Sequence, residues 1–154
     1  MLLSQKRDEG VTAMPLHDAA PPVEGTLESA LYARDLDACE SFYRGILGLP
    51  VVAHVPGRHV FFRVAESMLL VFDPRATSRP ARPGALPVPP HGSTGAGHFC
   101  LRVAADRLDD WRRHLAACGV DIEADFRWPN GARSIYLRDP AGNSIELSEA
   151  ALWA

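Results

Sequence analysis

The sequence has few of the features that mark exported, membrane-spanning or nucleic-acid-binding proteins. Its three cysteines, Cys39, Cys100 and Cys118, form no close CxxC pair, so we expect reduced, buried thiols in a cytoplasmic protein. No apolar run approaches membrane-spanning length, and the stretch MLLSQKRDEG at the N-terminus lacks the apolar core of a signal peptide, so we expect no membrane partner and no export. No basic cluster appears and the formal net charge is −3, which gives no electrostatic case for binding nucleic acid.

What the chain does have is the composition of one folded domain. Its 154 residues are 47% hydrophobic and 23% charged, which is typical of a globular domain with a buried core. Residues 1–24 show no periodicity, and we predict a flexible arm there. Residues 25–150 are predicted to form a single domain. Within it lies a linker or lid at 74–97 that is rich in Pro and Gly, in which we expect neither a helix nor a central strand.

The two sides of this linker repeat the same order of elements. Module one, at about 26–73, has a strand, a helix that ends at Gly48, and three further strands. Module two, at about 98–148, has a strand, a helix that ends at Gly119, and again three strands. This internal duplication predicts an α+β fold in which two βαβββ modules form a curved mixed sheet.

The strands of both modules carry polar side chains on the face opposite the apolar one. In HFCLR, for example, His98 lies opposite Phe99. If the sheets curl, the polar faces line one concavity, and they carry Glu28, His98, Tyr136 and Glu146. Carboxylates in a concavity are costly to desolvate. A divalent cation held by one imidazole and two carboxylates would remove that cost and leave coordination positions open for a substrate.

Several of these residues are candidates for binding and catalysis. Tyr136 can donate to a substrate oxygen or act as an acid, although packing is an alternative role, and we name it with Glu146 as a catalytic candidate. His59 and Phe61 in module one are the counterparts of Ser134 and Tyr136 in module two. We expect all four of these counterparts to line the substrate pocket.

Two motifs, in this order and at this distance, resemble those of a known superfamily. They are RDLDACESFYRGILGLP in module one and YLRDPAGNSIEL in module two. Together with the duplication, they resemble the vicinal oxygen chelate superfamily, which includes glyoxalase I, extradiol dioxygenases, fosfomycin-resistance enzymes, methylmalonyl-CoA epimerase and bleomycin-binding proteins. The resemblance covers roughly residues 26–150.

The resemblance implies a divalent metal and its ligands. Carried over onto this sequence, the ligands are Glu28, His98 and Glu146, with Glu28 at a position where the superfamily most often has His. A fourth ligand of glyoxalase I falls on Val71 in our alignment, which favours the members with three ligands. One imidazole with two carboxylates suits Mn²⁺, Fe²⁺, Ni²⁺ or Zn²⁺.

The resemblance also implies a small-molecule substrate or ligand and a homodimer. If the modules pair across the dimer, Glu28 comes from the other subunit than His98 and Glu146. Three reaction classes stay open for an enzyme: glyoxalase-like isomerisation or lyase chemistry, epoxide opening by a fosfomycin-resistance-like transferase, and ring cleavage by a dioxygenase. The alternatives are a metal-free protein that binds an antibiotic or another small ligand, and a protein that keeps the fold without the chemistry.

Overall fold

The computed structural model describes residues 20–154, so residues 1–19 of the predicted arm lie outside the described residues. In chain order the elements are β1 (Glu28–Tyr32), α1 (Leu36–Glu40) with a π-helical continuation (Ser41–Ile46), β2 (Val51–Val55), β3 (His59–Val64), β4 (Ser67–Phe72), α2 (Pro74–Thr77), β5 (His98–Arg102), a 3-10 turn (Ala105–Arg107), α3 (Leu108–Ala117), β6 (Ala124–Arg127), β7 (Arg133–Arg138), β8 (Ser144–Ser148) and a 3-10 turn (Ala150–Trp153).

The strands form two four-stranded mixed sheets, one from each predicted module. Their orders are β1-β4-β3-β2 and β5-β8-β7-β6. In each sheet the first strand of the module runs parallel to the last, and the other pairs are antiparallel. The identical strand order confirms the duplication and the two βαβββ modules predicted from the sequence. Neither sheet closes, so β1 and β5 each lie at an edge.

The apolar faces of both sheets pack against the helices in one core. Leu31 of β1 and Leu101 of β5 point into it, because alternate side chains of a strand point to the same face. They meet Phe42 and Tyr43 of the first helical segment and Leu115 of α3. Burial of such a side chain stabilises the fold by roughly 1.5–3 kcal/mol. The opposite faces of the sheets are therefore left for a ligand.

The DPAGN turn between β7 and β8 joins the two modules. Asp139 is buried, and its carboxylate accepts a hydrogen bond from Tyr43 Oη of module one at 2.8 Å. Asn143, at the other end of the turn, accepts from Gly97 N at 2.7 Å and donates to the backbone oxygen of Tyr32 at 3.3 Å. The bonds to Tyr43 and Tyr32 cross between the modules, so the turn holds module two against module one.

The linker contains one element that was not expected. The helix α2 forms although the Pro- and Gly-rich composition predicted none, because Pro74 occupies the first turn, where its missing N–H costs no hydrogen bond. Asp73 caps this helix by accepting from Arg75 N at 2.9 Å. His91 N donates to Thr77 O at 3.0 Å and ties the rest of the linker back to α2. Within residues 20–154, no helix has the length and apolar character needed to cross a bilayer.

Candidate functional site

The pairing of β5, β8 and β7 brings the candidate residues of module two onto one face. Glu146 in β8 is the register partner of Cys100 in β5 and of Tyr136 in β7. His98 lies two residues before Cys100, so it points to the same side of the sheet. The structure therefore brings His98, Tyr136 and Glu146 together, as the strand faces suggested.

His98 and Glu146 face each other with two electron-pair donors. His98 Nε2 lies 3.3 Å from Glu146 Oε2. The other ring nitrogen, Nδ1, lies 3.2 Å from the carbonyl oxygen of Ser144, to which it can only donate. The neutral ring with its proton on Nδ1 then points the lone pair of Nε2 at the carboxylate. Only a shared proton or a cation stabilises two such atoms at this distance.

The second oxygen of Glu146 is held by a short relay of hydrogen bonds. Ser134 Oγ donates to Glu146 Oε1, and Trp128 Nε1 donates to Ser134 Oγ at 2.8 Å. The side chain of Glu146 is only 5% exposed, so these hydrogen bonds must replace the water that would otherwise stabilise its carboxylate. Ser134 was expected to line the pocket. It is instead fully buried beside Glu146 on the same face of the sheet, in contact with the side chains of Trp128 and Ser148, and it positions that carboxylate.

A cavity of about 490 Å³ opens over this pair. That volume lies in the range of small-molecule sites, roughly 300–1,000 Å³. Besides His98 and Glu146, the cavity is lined by residues that include Tyr136, Trp128, Leu152 and Trp153. The last two were missed from the sequence, because they follow β8 in a turn that carries neither a periodicity nor a motif.

Two further polar groups at the cavity keep their protons at neutral pH. Burial, together with the neighbouring Glu146 carboxylate, raises the pKa of Tyr136 to about 12. The same two causes raise the pKa of the Cys100 thiol to about 12, although part of that side chain is open to solvent. The expectation of buried cysteines holds for Cys39 and is wrong for Cys100 and Cys118, which are exposed; all three are free thiols.

Module one has an apolar residue where module two has Glu146. Glu28 pairs with Met68 as His98 pairs with Ser144, so the counterpart of Glu146 is Leu70, two residues further along β4. The alignment that put Val71 at this position is wrong by one residue. Val71 is fully buried in the core, on the opposite face of the strand.

The face of module one that carries Glu28 also carries a cluster of aromatic rings. His59 and Phe61 stack with their ring centroids 4.0 Å apart, and the ring of Phe72 stands edge-on to both. Burial lowers the pKa of His59 below its ordinary value of 6.5, which keeps the stacked ring neutral. The linker adds His91, whose Nδ1 lies 2.8 Å from Tyr32 Oη. The contact of His91 could not be predicted from the sequence, since a linker has no strand register.

Glu28 does not join the other two predicted ligands within one chain. It is exposed on the edge strand β1. In the part of the chain from residue 20 to residue 154, no group of three His, Cys, Asp or Glu side chains is placed to hold a metal ion. One copy therefore presents a pair of donors on module two and a separate carboxylate on module one.

Known proteins share both this fold and this sequence pattern. A crystal structure of lactoylglutathione lyase from Agrobacterium tumefaciens is 45% identical, has a TM-score of 0.83, and is matched over 87% of this chain and 99% of that one. An uncharacterized protein of Pseudomonas aeruginosa is 31% identical over 125 residues, with 77% of this chain and 84% of the relative covered.

A more distant structure shares the fold alone. It is a variant of the fosfomycin resistance protein FosX from Listeria monocytogenes, in complex with Mn(II) and 1S,2S-dihydroxypropylphosphonic acid. It is 17% identical with a TM-score of 0.60, and the match covers 83% of this chain and 93% of that one. The model of one protein family matches residues 26–147, which span both modules. The chain belongs to this family, the Glyoxalase/Bleomycin resistance protein/Dioxygenase superfamily.

Proposed function

We propose that this chain is a divalent-metal-dependent lyase or isomerase that acts on a small substrate with two adjacent oxygen atoms. The family includes several reaction types. The 45% identity to the lactoylglutathione lyase of A. tumefaciens favours lyase chemistry over the dioxygenase and transferase alternatives. One observation carries the proposal: His98 Nε2 and Glu146 Oε2 converge at 3.3 Å in a cavity that fits a small molecule.

The chemistry of these two donors fits a divalent transition metal. A neutral imidazole and a carboxylate are both ligands for Mn²⁺, Fe²⁺, Ni²⁺ or Zn²⁺. The Ser144 carbonyl oxygen sets the tautomer of His98, and Ser134 holds the other oxygen of Glu146. Contacts of this kind orient metal ligands from outside the coordination shell. We assign His98 and Glu146 as ligands and Glu28 as the third.

In this proposal Glu28 comes from a second copy of the chain. Glu28 is exposed on an edge strand and has no His, Asp or Glu neighbours that would complete a site among residues 20–154. In a homodimer with two-fold symmetry, the module-one face of each copy would lie against the module-two face of the other. Two identical sites would form, each with one carboxylate from one copy and the His98–Glu146 pair from its partner.

The side chains of the cavity then have separate tasks. When bound, the metal supplies a Lewis acid that holds the two substrate oxygens and stabilises the negative charge developing beside them. Tyr136 lines the cavity and donates a hydrogen bond from its hydroxyl to a substrate oxygen. Glu146 is the candidate base that carries a proton between adjacent substrate atoms. Aromatic side chains, among them Trp128 and Trp153, form the walls around the reacting groups.

Elemental analysis of protein purified without added metal tests the metal site. We expect close to one transition metal per chain in the wild type, and its loss in His98→Ala and Glu146→Ala. His114→Ala is the matched control, since His114 bonds the backbone oxygen of Ile46 away from the cavity. No uptake after incubation with Mn²⁺, Ni²⁺, Zn²⁺ and anaerobic Fe²⁺ would overturn the proposal. Turnover of lactoylglutathione by the same preparations tests the lyase assignment separately.

A metal-free protein that binds an aromatic ligand is the second candidate. The observation in its favour is the run of rings beside the cavity. Phe126 lies 5.0 Å from Trp128 and 5.8 Å from Tyr136, measured between ring centroids. Equal affinity for an aromatic ligand with and without a chelator, in a protein that takes up no metal, would support this candidate and exclude the enzyme.

A further inference from the structure

The 3-10 turn Ala150–Trp153 forms a wall of the cavity although it lies outside the sheet. Leu152 and Trp153 both line the space beside His98 and Glu146. Trp153 is 91% exposed, so its indole ring adds almost nothing to the core. A large, flat, amphipathic ring at the mouth of a ligand cavity is suited to contact the ligand itself.

Asn130 fastens this turn in place. Its Nδ2 donates to the backbone oxygens of Ala151 at 3.1 Å and Leu152 at 3.2 Å, while its Oδ1 accepts from Ala132 N at 3.1 Å. Both ends of the amide are therefore occupied by backbone atoms. Because the bonds run from the β6–β7 turn to the two residues before Trp153, they set where the indole stands.

The cavity is polar at one end and aromatic around it. Tyr136 stacks on His98 with an interplanar angle of 21° and on Phe126 with an angle of 1°, so flat surfaces follow one another along the sheet. None of the described residues that line the cavity is Arg or Lys. A phosphate or phosphonate group would find no cationic side chain there, whereas a flat ring would find aromatic surfaces on the sheet and at the turn.

We propose that Trp153, positioned by Asn130, is a substrate-binding residue. The cavity then selects substrates in which a planar aromatic group adjoins the two oxygens. This inference rests on the proposed function, since the His98–Glu146 end must hold the oxygens for the ring to point toward Trp153. It adds the chemical class of the substrate and two residues outside the predicted ligand set.

Calorimetric titration of the Mn²⁺-loaded full chain with two probes tests the inference. Catechol carries two adjacent oxygens on an aromatic ring, and glycolate carries two adjacent oxygens without one. We expect the wild type to bind catechol at least about tenfold more tightly than glycolate. Trp153→Ala and Asn130→Ala should each lose about five- to tenfold in catechol affinity and less than about twofold in glycolate affinity.

Trp111→Phe is the control, because Trp111 lies on α3, which packs on the opposite side of the sheet from the cavity. Equal losses for both probes, no loss for either, or a wild type without preference for catechol would overturn the inference. So would a Trp153→Ala protein that becomes monomeric where the wild type is dimeric, since the indole would then be an interface residue. Failure of the proposed function gives a different result: no variant takes up Mn²⁺ before a probe is added.

Discussion

In each of the two donor side chains, one atom is hydrogen-bonded to a neighbouring residue and another atom is directed at the other donor side chain. His98 Nδ1 donates to the carbonyl oxygen of Ser144, and Glu146 Oε1 accepts from the hydroxyl of Ser134. The two remaining atoms meet at 3.3 Å. Ser134 matters most here, because it also accepts from Trp128 and so couples a wall of the cavity to the carboxylate.

Replacing Ser134 by Ala tests this coupling at the scale of one hydroxyl. Glu146 would lose its donor and Trp128 its acceptor, so we expect affinity for Mn²⁺ or Zn²⁺ to fall about 10- to 100-fold, as for other partners of metal ligands. Metal titration measures the change. Ser93→Ala, on an exposed part of the linker, should bind metal like the wild type. Unchanged affinity in Ser134→Ala would show that the hydroxyl does not position the carboxylate.

At the scale of elements, the strands of module two were predictable and parts of module one were not. His98 and Glu146 could be assigned to one face because β5 and β8 alternate between core and cavity. In β4 the residues Leu70 and Val71 are both apolar, so no alternation of polar and apolar residues distinguishes the two faces of the strand. The sequence alignment therefore placed Val71, instead of Leu70, opposite Glu146. Trp153 lies in a turn, where side-chain position depends on contacts distant in sequence, such as those of Asn130.

The helix α2 gives a prediction about pH at the same scale. Hydrogen bonds from Arg75 hold the pKa of the buried Asp73 below its ordinary value of 3.8. A carboxyl with a lowered pKa in the folded state contributes stability above its unfolded pKa, and this contribution is lost as pH falls through the folded pKa. Asp73→Asn keeps a helix cap but removes the charge.

We therefore expect the wild type to have a higher urea midpoint of unfolding than Asp73→Asn at neutral pH. The difference should stay constant down to about pH 5 and shrink as the pH falls below the ordinary value of 3.8. Denaturation series from pH 7 to pH 2 measure it. The exposed Asp121→Asn controls for loss of one negative charge. If the difference between the two urea midpoints grew as the pH fell, the stabilising role of the Asp73–Arg75 ion pair would be contradicted.

At the scale of the whole molecule, the fold places the three proposed metal ligands on two different sheets. The sheet of module two carries His98 and Glu146, while the sheet of module one carries Glu28 and a cluster of aromatic rings. The duplication is readable in the sequence because helix ends and strand alternation are local signals. How two copies meet is not readable, since it depends on the shapes of two faces that form only after folding.

In the proposed site, a metal is held by Glu28 of one copy and by His98 and Glu146 of the other. Mixing two defective variants tests it most directly. We expect Glu28→Ala and Glu146→Ala each to bind no metal alone. After unfolding and refolding together in equal amounts, they should recover about a quarter of the wild-type metal per chain, because half of the dimers are mixed and each of those holds one intact site.

The control mixes Glu146→Ala with His98→Ala. Both substitutions lie on the module-two face, so every site of a mixed dimer lacks one ligand. It should recover no metal. Recovery in the first mixture but not in the second is the result predicted for a site shared between copies. Metal binding by Glu28→Ala alone, or no recovery in the first mixture from a dimeric protein whose wild type binds metal, would contradict it.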